Sequence, residues 1–74
     1  MLDARMLEIL GDRLLHAANE HPEGANFDAL VEEVEEVRVE YEKGRKLEMI
    51  YELYDVMTVA YRMIKDLENT FDSH

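Results

Sequence analysis

Four carboxylates of the chain stand in two pairs that share one spacing. Glu33 and Glu36 form the first pair, and Glu52 and Asp55 form the second. Side chains three residues apart on a helix project from the same side, so each pair presents two carboxylates together. Two like charges about 4 Å apart repel by about 4 kcal/mol at an effective dielectric near 20. A hard divalent cation that prefers oxygen ligands, Mg²⁺ or Mn²⁺, would relieve this repulsion.

Only a short turn around Gly44 separates the two segments that carry these pairs. Helices joined so closely are antiparallel neighbours, and the numbers of facing residues then have a nearly constant sum. Centring the turn on Gly44 predicts three facing layers: Glu33 with Asp55, Glu36 with Glu52, and Glu40 with Glu48. We therefore expect the four paired carboxylates to converge on one cleft, where a bound cation would attract phosphates and activate water.

The spacing of apolar residues predicts three helices, at about residues 3–19, 27–43 and 45–69. Asp3 and Asn26 are suitable N-caps, Pro22 stops the first helix, and Gly44 suits the end of the second. The alternation from Val37 to Tyr41 is also typical of a strand, but a single short strand would have no partner. The fold class is therefore all-α, with one domain spanning residues 1–74.

The third predicted helix is apolar around most of its circumference. A helix of this kind is normally buried on nearly all sides. Two short helices of the same chain are too few to cover it, so the pattern predicts that oligomerisation completes the fold. We expect an oligomer of three-helix protomers, most simply a homodimer.

The charge of the chain limits its partners. Eighteen acidic residues against eight basic ones give a net charge of −10 and a pI near 4.5, which disfavours nucleic acid and anionic membranes as partners.

No apolar run reaches the roughly 18 residues of a transmembrane helix, and Asp3 and Arg5 interrupt any signal-peptide pattern. The expected compartment is the cytoplasm. Cysteine is absent, which excludes disulfides and thiolate metal sites.

The two acidic pairs resemble the ExxE…ExxD signature of MazG-type nucleotide pyrophosphohydrolases. Fifteen residues separate Glu33-x-x-Glu36 from Glu52-x-x-Asp55. The surrounding segments LVEEVEEV and YELYDVMTVAYRM are similar to the two motif helices of that family. The His21-Pro22 step resembles the family's entry loop. The resemblance covers roughly residues 14–66.

The resemblance implies an all-α enzyme that hydrolyses a (deoxy)nucleoside triphosphate to the monophosphate and pyrophosphate. It also implies a homodimer or a homotetramer with sites near subunit contacts. The residues implied as Mg²⁺ ligands are those of the two pairs, Glu33, Glu36, Glu52 and Asp55. One of these, or the neighbouring Glu32 or Glu35, would position the attacking water.

The sequence departs from the family pattern after the second motif. Family members usually continue into a fourth helix that supplies Lys, Arg or Asn to the substrate, whereas this sequence ends at His74. Arg62 and Lys65 are the candidates for phosphate contact here, although as exposed partners of Asp66 or Glu68 they need no such role. The alternative to a metal site is that the carboxylates form an ordinary solvated acidic face. The alternative to an enzyme is a non-catalytic acidic helical adaptor or subunit.

Overall fold

A computed structural model describes residues 3–72, which form three α-helices and no strand. Helix α1 spans Ala4–Glu20, α2 spans Phe27–Lys43 and α3 spans Lys46–Asp72. The all-α prediction is confirmed. The alternating segment from Val37 to Tyr41 lies inside α2, so the strand alternative is wrong. Helix α3 extends three residues beyond the predicted end.

The ends of the helices follow the predicted capping residues. The Asp3 carboxylate accepts a hydrogen bond from the backbone N–H of Met6 at 2.8 Å, and Asn26 accepts one from Ala29 at 2.9 Å. Gly44 adopts φ of +70°, a left-handed conformation that costs glycine little and ends α2. Asn26 and Gly44 therefore mark the beginning and the end of α2, the first motif helix.

Helix α3 lies in the middle of the fold and packs against both α1 and α2. Throughout the described residues, the Cα atoms of α1 and α2 stay more than 8 Å apart. Because Arg13 meets Asp55 and Arg62 reaches Ala17, α1 runs in the same direction as α3. The three helices therefore form an open layer, with overall dimensions of 46 × 29 × 23 Å.

A layer of this kind buries little of its apolar surface. Among the residues whose burial the structure describes, only Tyr54 and Thr58 on α3 are buried, with exposed fractions of 7% and 3%. Ile64 and Leu67 of the same helix are more than half exposed. Helix α3 is therefore largely covered in its middle turns and exposed from Ile64 to Phe71, and oligomerisation stays a prediction. In the described part of the chain, no helix combines the length and apolar character needed to cross a membrane.

Candidate functional site

Three of the four predicted carboxylates converge between α2 and α3. Glu33, Glu36 and Glu52 each place one carboxylate oxygen within 4.8 Å of the others. Glu33 and Glu36 come from adjacent turns of α2, and Glu52 approaches from the antiparallel α3. The predicted register of Glu36 opposite Glu52 agrees with this geometry. We call these three residues the acidic cluster.

The acidic cluster is partly removed from water. Glu33 and Glu52 are half-buried, and the Oε2 atom of each is shielded from solvent and has no hydrogen-bond partner among residues 3–72. A buried acceptor that lacks a donor is costly, by about 1–3 kcal/mol and more when it is charged. The cluster therefore has unused ligand atoms that a cation could satisfy.

Burial and mutual repulsion shift the protonation of the acidic cluster. Burial raises the pKa of Glu52 to about 7, and the adjacent Glu36 adds to that rise. Burial also raises the pKa of Glu33 and of Glu36 above the ordinary range. Such shifts mean that ionising all three groups together is unfavourable without a compensating positive charge.

Asp55, the fourth predicted carboxylate, lies beside the acidic cluster but outside its closest group. Its charge contributes to the raised pKa of both Glu33 and Glu52. Its Oδ1 atom lies 3.8 Å from Nε of Arg13, whose guanidinium carbon lies 5.5 Å from the centre of the Tyr51 ring. Sequence reasoning did not identify Arg13, because no pattern fixes the register of α1 against α3 across the connecting segment.

A groove of about 290 Å³ adjoins the acidic cluster. Helices α1 and α2 form its walls, α3 forms its floor, and the segment between α1 and α2 closes one end. Its lining includes two arginines, two histidines and four carboxylates: Arg13, Arg62, His16, His21, Glu23, Glu32, Glu33 and Asp55. Because Glu33 and Asp55 line the groove, a ligand held there would lie beside the carboxylates.

The two residues predicted to contact phosphate differ in their surroundings. Arg62 lines the groove and donates hydrogen bonds from Nη1 to the Ala17 carbonyl at 3.2 Å and from Nη2 to the His21 carbonyl at 2.5 Å. It thereby satisfies carbonyls at the end of α1. Lys65 is exposed and forms an ion pair with Glu68 at 3.1 Å. Of the two, only Arg62 is placed beside the groove.

The other acidic residues of the prediction differ in their ion pairs and in whether they line the groove. Glu40 pairs with Arg45 at 3.8 Å, whereas its predicted neighbour Glu48 is exposed. Glu35 pairs on the surface with Arg38 at 3.2 Å. Of the two residues predicted to help position water, Glu32 lines the groove and Glu35 does not.

Comparison of the chain with family models, with curated proteins and with solved structures gives no match. The acidic cluster and the groove are therefore the features that indicate a function. Three oxygen donors from two helices, with two buried oxygens lacking partners, fit a hard divalent cation. The adjoining groove is lined by two arginines and four carboxylates, so an anionic ligand would contact the arginines and would need a cation on the acidic side.

Proposed function

We propose that the protein is a Mg²⁺-dependent pyrophosphohydrolase of (deoxy)nucleoside triphosphates, similar to the MazG-type enzymes. One observation carries the proposal. Glu33, Glu36 and Glu52 bring carboxylate oxygens within 4.8 Å of one another beside a groove lined by Arg13 and Arg62. The reaction would release the monophosphate and pyrophosphate.

The acidic cluster supplies the ligands for Mg²⁺, with Mn²⁺ as a possible substitute. Glu33, Glu36 and Glu52 would hold the ion, and Asp55 would join them by exchanging its contact with Arg13. When bound, Mg²⁺ neutralises phosphate charge and lowers the pKa of water. The buried Oε2 atoms of Glu33 and Glu52 suit this role because no other group satisfies them.

The groove provides space and charge for the rest of the substrate. Its volume of about 290 Å³ lies near the lower end of the range for small-molecule sites. A guanidinium has five N–H donors, and Arg62 uses two of its nitrogens on the carbonyls of Ala17 and His21. Its remaining donor capacity, together with Arg13, would contact phosphate oxygens. Glu32, which lines the same groove, would accept a proton from the attacking water.

The test is the release of pyrophosphate from each of the eight common nucleoside triphosphates in the presence of Mg²⁺. We expect stoichiometric monophosphate and pyrophosphate from at least one of them. Glu52→Gln should abolish turnover and keep the helical circular-dichroism spectrum. Glu48→Gln is the matched control because Glu48 lies one turn earlier on the same helix and is exposed. No pyrophosphate from any nucleotide, with either Mg²⁺ or Mn²⁺, would overturn the proposal.

A non-catalytic helical adaptor is the second candidate. The exposed apolar residues of α3, including Ile64, Leu67 and Phe71, favour it because they offer a surface for another protein. An adaptor makes no demand on the acidic cluster, so Glu52→Gln would leave its partner binding unchanged. The nucleotide assay and this substitution together separate the two candidates.

A further inference from the structure

Arg13 and Arg62 line the same groove, but the fold uses them differently. Arg62 donates hydrogen bonds to two backbone carbonyls at and just beyond the end of α1. Among residues 3–72, Arg13 forms no hydrogen bond, and its contacts are an ion pair with Asp55 and an approach to the Tyr51 ring. Arg62 is therefore engaged in holding the fold, whereas the N–H donors of Arg13 are available to a ligand.

Two weak contacts hold the Arg13 guanidinium in place. Its Nε lies 3.8 Å from Oδ1 of Asp55, which is longer than a hydrogen bond. The guanidinium carbon lies 5.5 Å from the centre of the Tyr51 ring, within the range of a cation–π contact. The Arg13 and Asp55 side chains are 34% and 32% exposed, so water screens their attraction. A competing partner for either side chain would therefore displace the ion pair at little cost.

The two members of the ion pair belong to different parts of the candidate site. Asp55 lies beside the acidic cluster, where its negative charge contributes to the raised pKa of both Glu33 and Glu52. Arg13 belongs to the wall of the groove that α1 forms. A cation at the acidic cluster would compete for Asp55, and an anion in the groove would compete for Arg13. Either ligand would thus break the same contact.

We propose that the Arg13–Asp55 pair couples the binding of a divalent cation to the binding of a polyphosphate, with Arg13 as the phosphate-binding residue that the cation releases. This inference rests on the proposed function, because it takes the acidic cluster as the cation site. Without a cation, Asp55 holds Arg13 and adds its own negative charge to the groove. When a cation draws Asp55 to the cluster, the Arg13 guanidinium is free to contact phosphate oxygens.

Coupling of this kind selects the form of the ligand. Four carboxylates and two arginines line the groove, so a polyphosphate without a cation would meet net negative charge. Because coupling between two binding sites is reciprocal, a polyphosphate that engages Arg13 would also raise the affinity of the cluster for the cation. The chain would therefore bind a polyphosphate together with a divalent cation and would bind the free anion weakly.

Binding of inorganic triphosphate in chelator tests the release of Arg13 without any cation. Calorimetric titration gives the dissociation constants of wild type, Asp55→Asn, Arg13→Gln and the double variant. We expect Asp55→Asn to bind triphosphate at least about fivefold more tightly than wild type, because Arg13 is then free. Arg13→Gln should remove that gain in the Asp55→Asn background and change the affinity of the wild type much less. Additive effects of the two substitutions would overturn the proposal, since Asp55 would then not restrain Arg13.

Glu32→Gln is the matched control for the loss of one negative charge. Glu32 lines the groove and has no ion pair among residues 3–72, so its substitution leaves the Arg13–Asp55 pair intact. We expect Glu32→Gln to increase the affinity for triphosphate less than Asp55→Asn does. An equal increase in the two variants would assign the effect to net charge alone and would overturn the proposal.

Nuclear magnetic resonance of the wild type follows the ion pair directly, with Mg²⁺ alone as the probe. The Nε–H signal of Arg13, assigned by its loss in Arg13→Gln, should shift on addition of Mg²⁺ towards its position in Asp55→Asn. In Glu52→Gln the same addition should leave it nearly unchanged, because the acidic cluster has lost a ligand. Mg²⁺-induced shifts of Glu33 and Glu36 with an unchanged Arg13 signal would overturn this inference and leave the proposed function standing. No shift at any of these residues would overturn both.

Discussion

Arg13 on α1 and Asp55 on α3 form an ion pair, with 3.8 Å between Nε and Oδ1. The pair connects the edge of the acidic cluster to α1, whose described Cα atoms lie more than 8 Å from those of α2. The pair also accounts for the position of Asp55 outside the closest group of carboxylates, because the Arg13 guanidinium already compensates part of the negative charge of Asp55. A cation bound at the cluster would compete with Arg13 for the Asp55 carboxylate.

Replacing Arg13 should make Asp55 available to a divalent cation. We expect Arg13→Gln to lower the free energy of unfolding in chelator by up to about 1 kcal/mol, the usual value of a partly exposed ion pair. The gain in melting temperature on adding Mg²⁺ should be larger than in wild type. Arg38→Gln is the control, because Arg38 pairs with Glu35 on the open surface and far from Asp55. Identical melting behaviour of the two variants would contradict a role for Arg13 at the site.

Removing one charge from the acidic cluster should stabilise the protein when no divalent cation is present. In Glu52→Gln, the repulsion among Glu33, Glu36 and residue 52 is relieved, while the shape of the side chain is retained. A gain of about 1 kcal/mol would raise the melting temperature of a domain this small by roughly 4–8 °C. Thermal denaturation in chelator measures the shift. Glu48→Gln should show little change, and an equal gain in both variants would indicate only a general effect of net charge.

The stability of the wild type should depend on pH through Glu52. Burial and the adjacent Glu36 raise the pKa of this carboxyl to about 7 in the folded chain, above its value in the unfolded chain. The folded state therefore binds more protons, so the free energy of unfolding should fall as the pH rises from about 5 to above 7. Melting temperatures measured in chelator at several pH values check this slope. Glu52→Gln should flatten it, and parallel slopes for the two proteins would assign the effect elsewhere.

The sequence predicted the motif hairpin well because its determinants are local. Asn26 and Gly44 mark the ends of α2, and the short turn leaves little freedom in the register that places Glu36 opposite Glu52. The register of α1 against α3 could not be predicted from the sequence, because the connecting segment 21–26 is long enough to allow several registers. The contacts of Arg13 and Arg62 with distant residues follow from that packing and have no signature in the sequence.

Arg62 should matter more to stability than Lys65, although both were candidates for phosphate contact. Arg62→Ala removes two charge-assisted hydrogen bonds to the carbonyls of Ala17 and His21 and should cost about 1.5–3 kcal/mol for each bond lost without a replacement from water. Lys65→Ala removes an exposed pair with Glu68 and should cost little. Urea denaturation of the two variants measures the difference. Similar costs would show that the Arg62 contacts do not hold α1 in place.

The most direct test of a divalent-cation site is the melting temperature of wild type and Glu52→Gln in millimolar Mg²⁺ and in NaCl of the same ionic strength. A cation that binds the folded site but not the unfolded chain stabilises by an amount set by its concentration relative to its dissociation constant. We expect Mg²⁺ to raise the melting temperature of the wild type well beyond NaCl, and to raise that of Glu52→Gln much less. Equal shifts from Mg²⁺ and NaCl in both proteins would mean that salt merely screens a solvated acidic face, and would contradict the site.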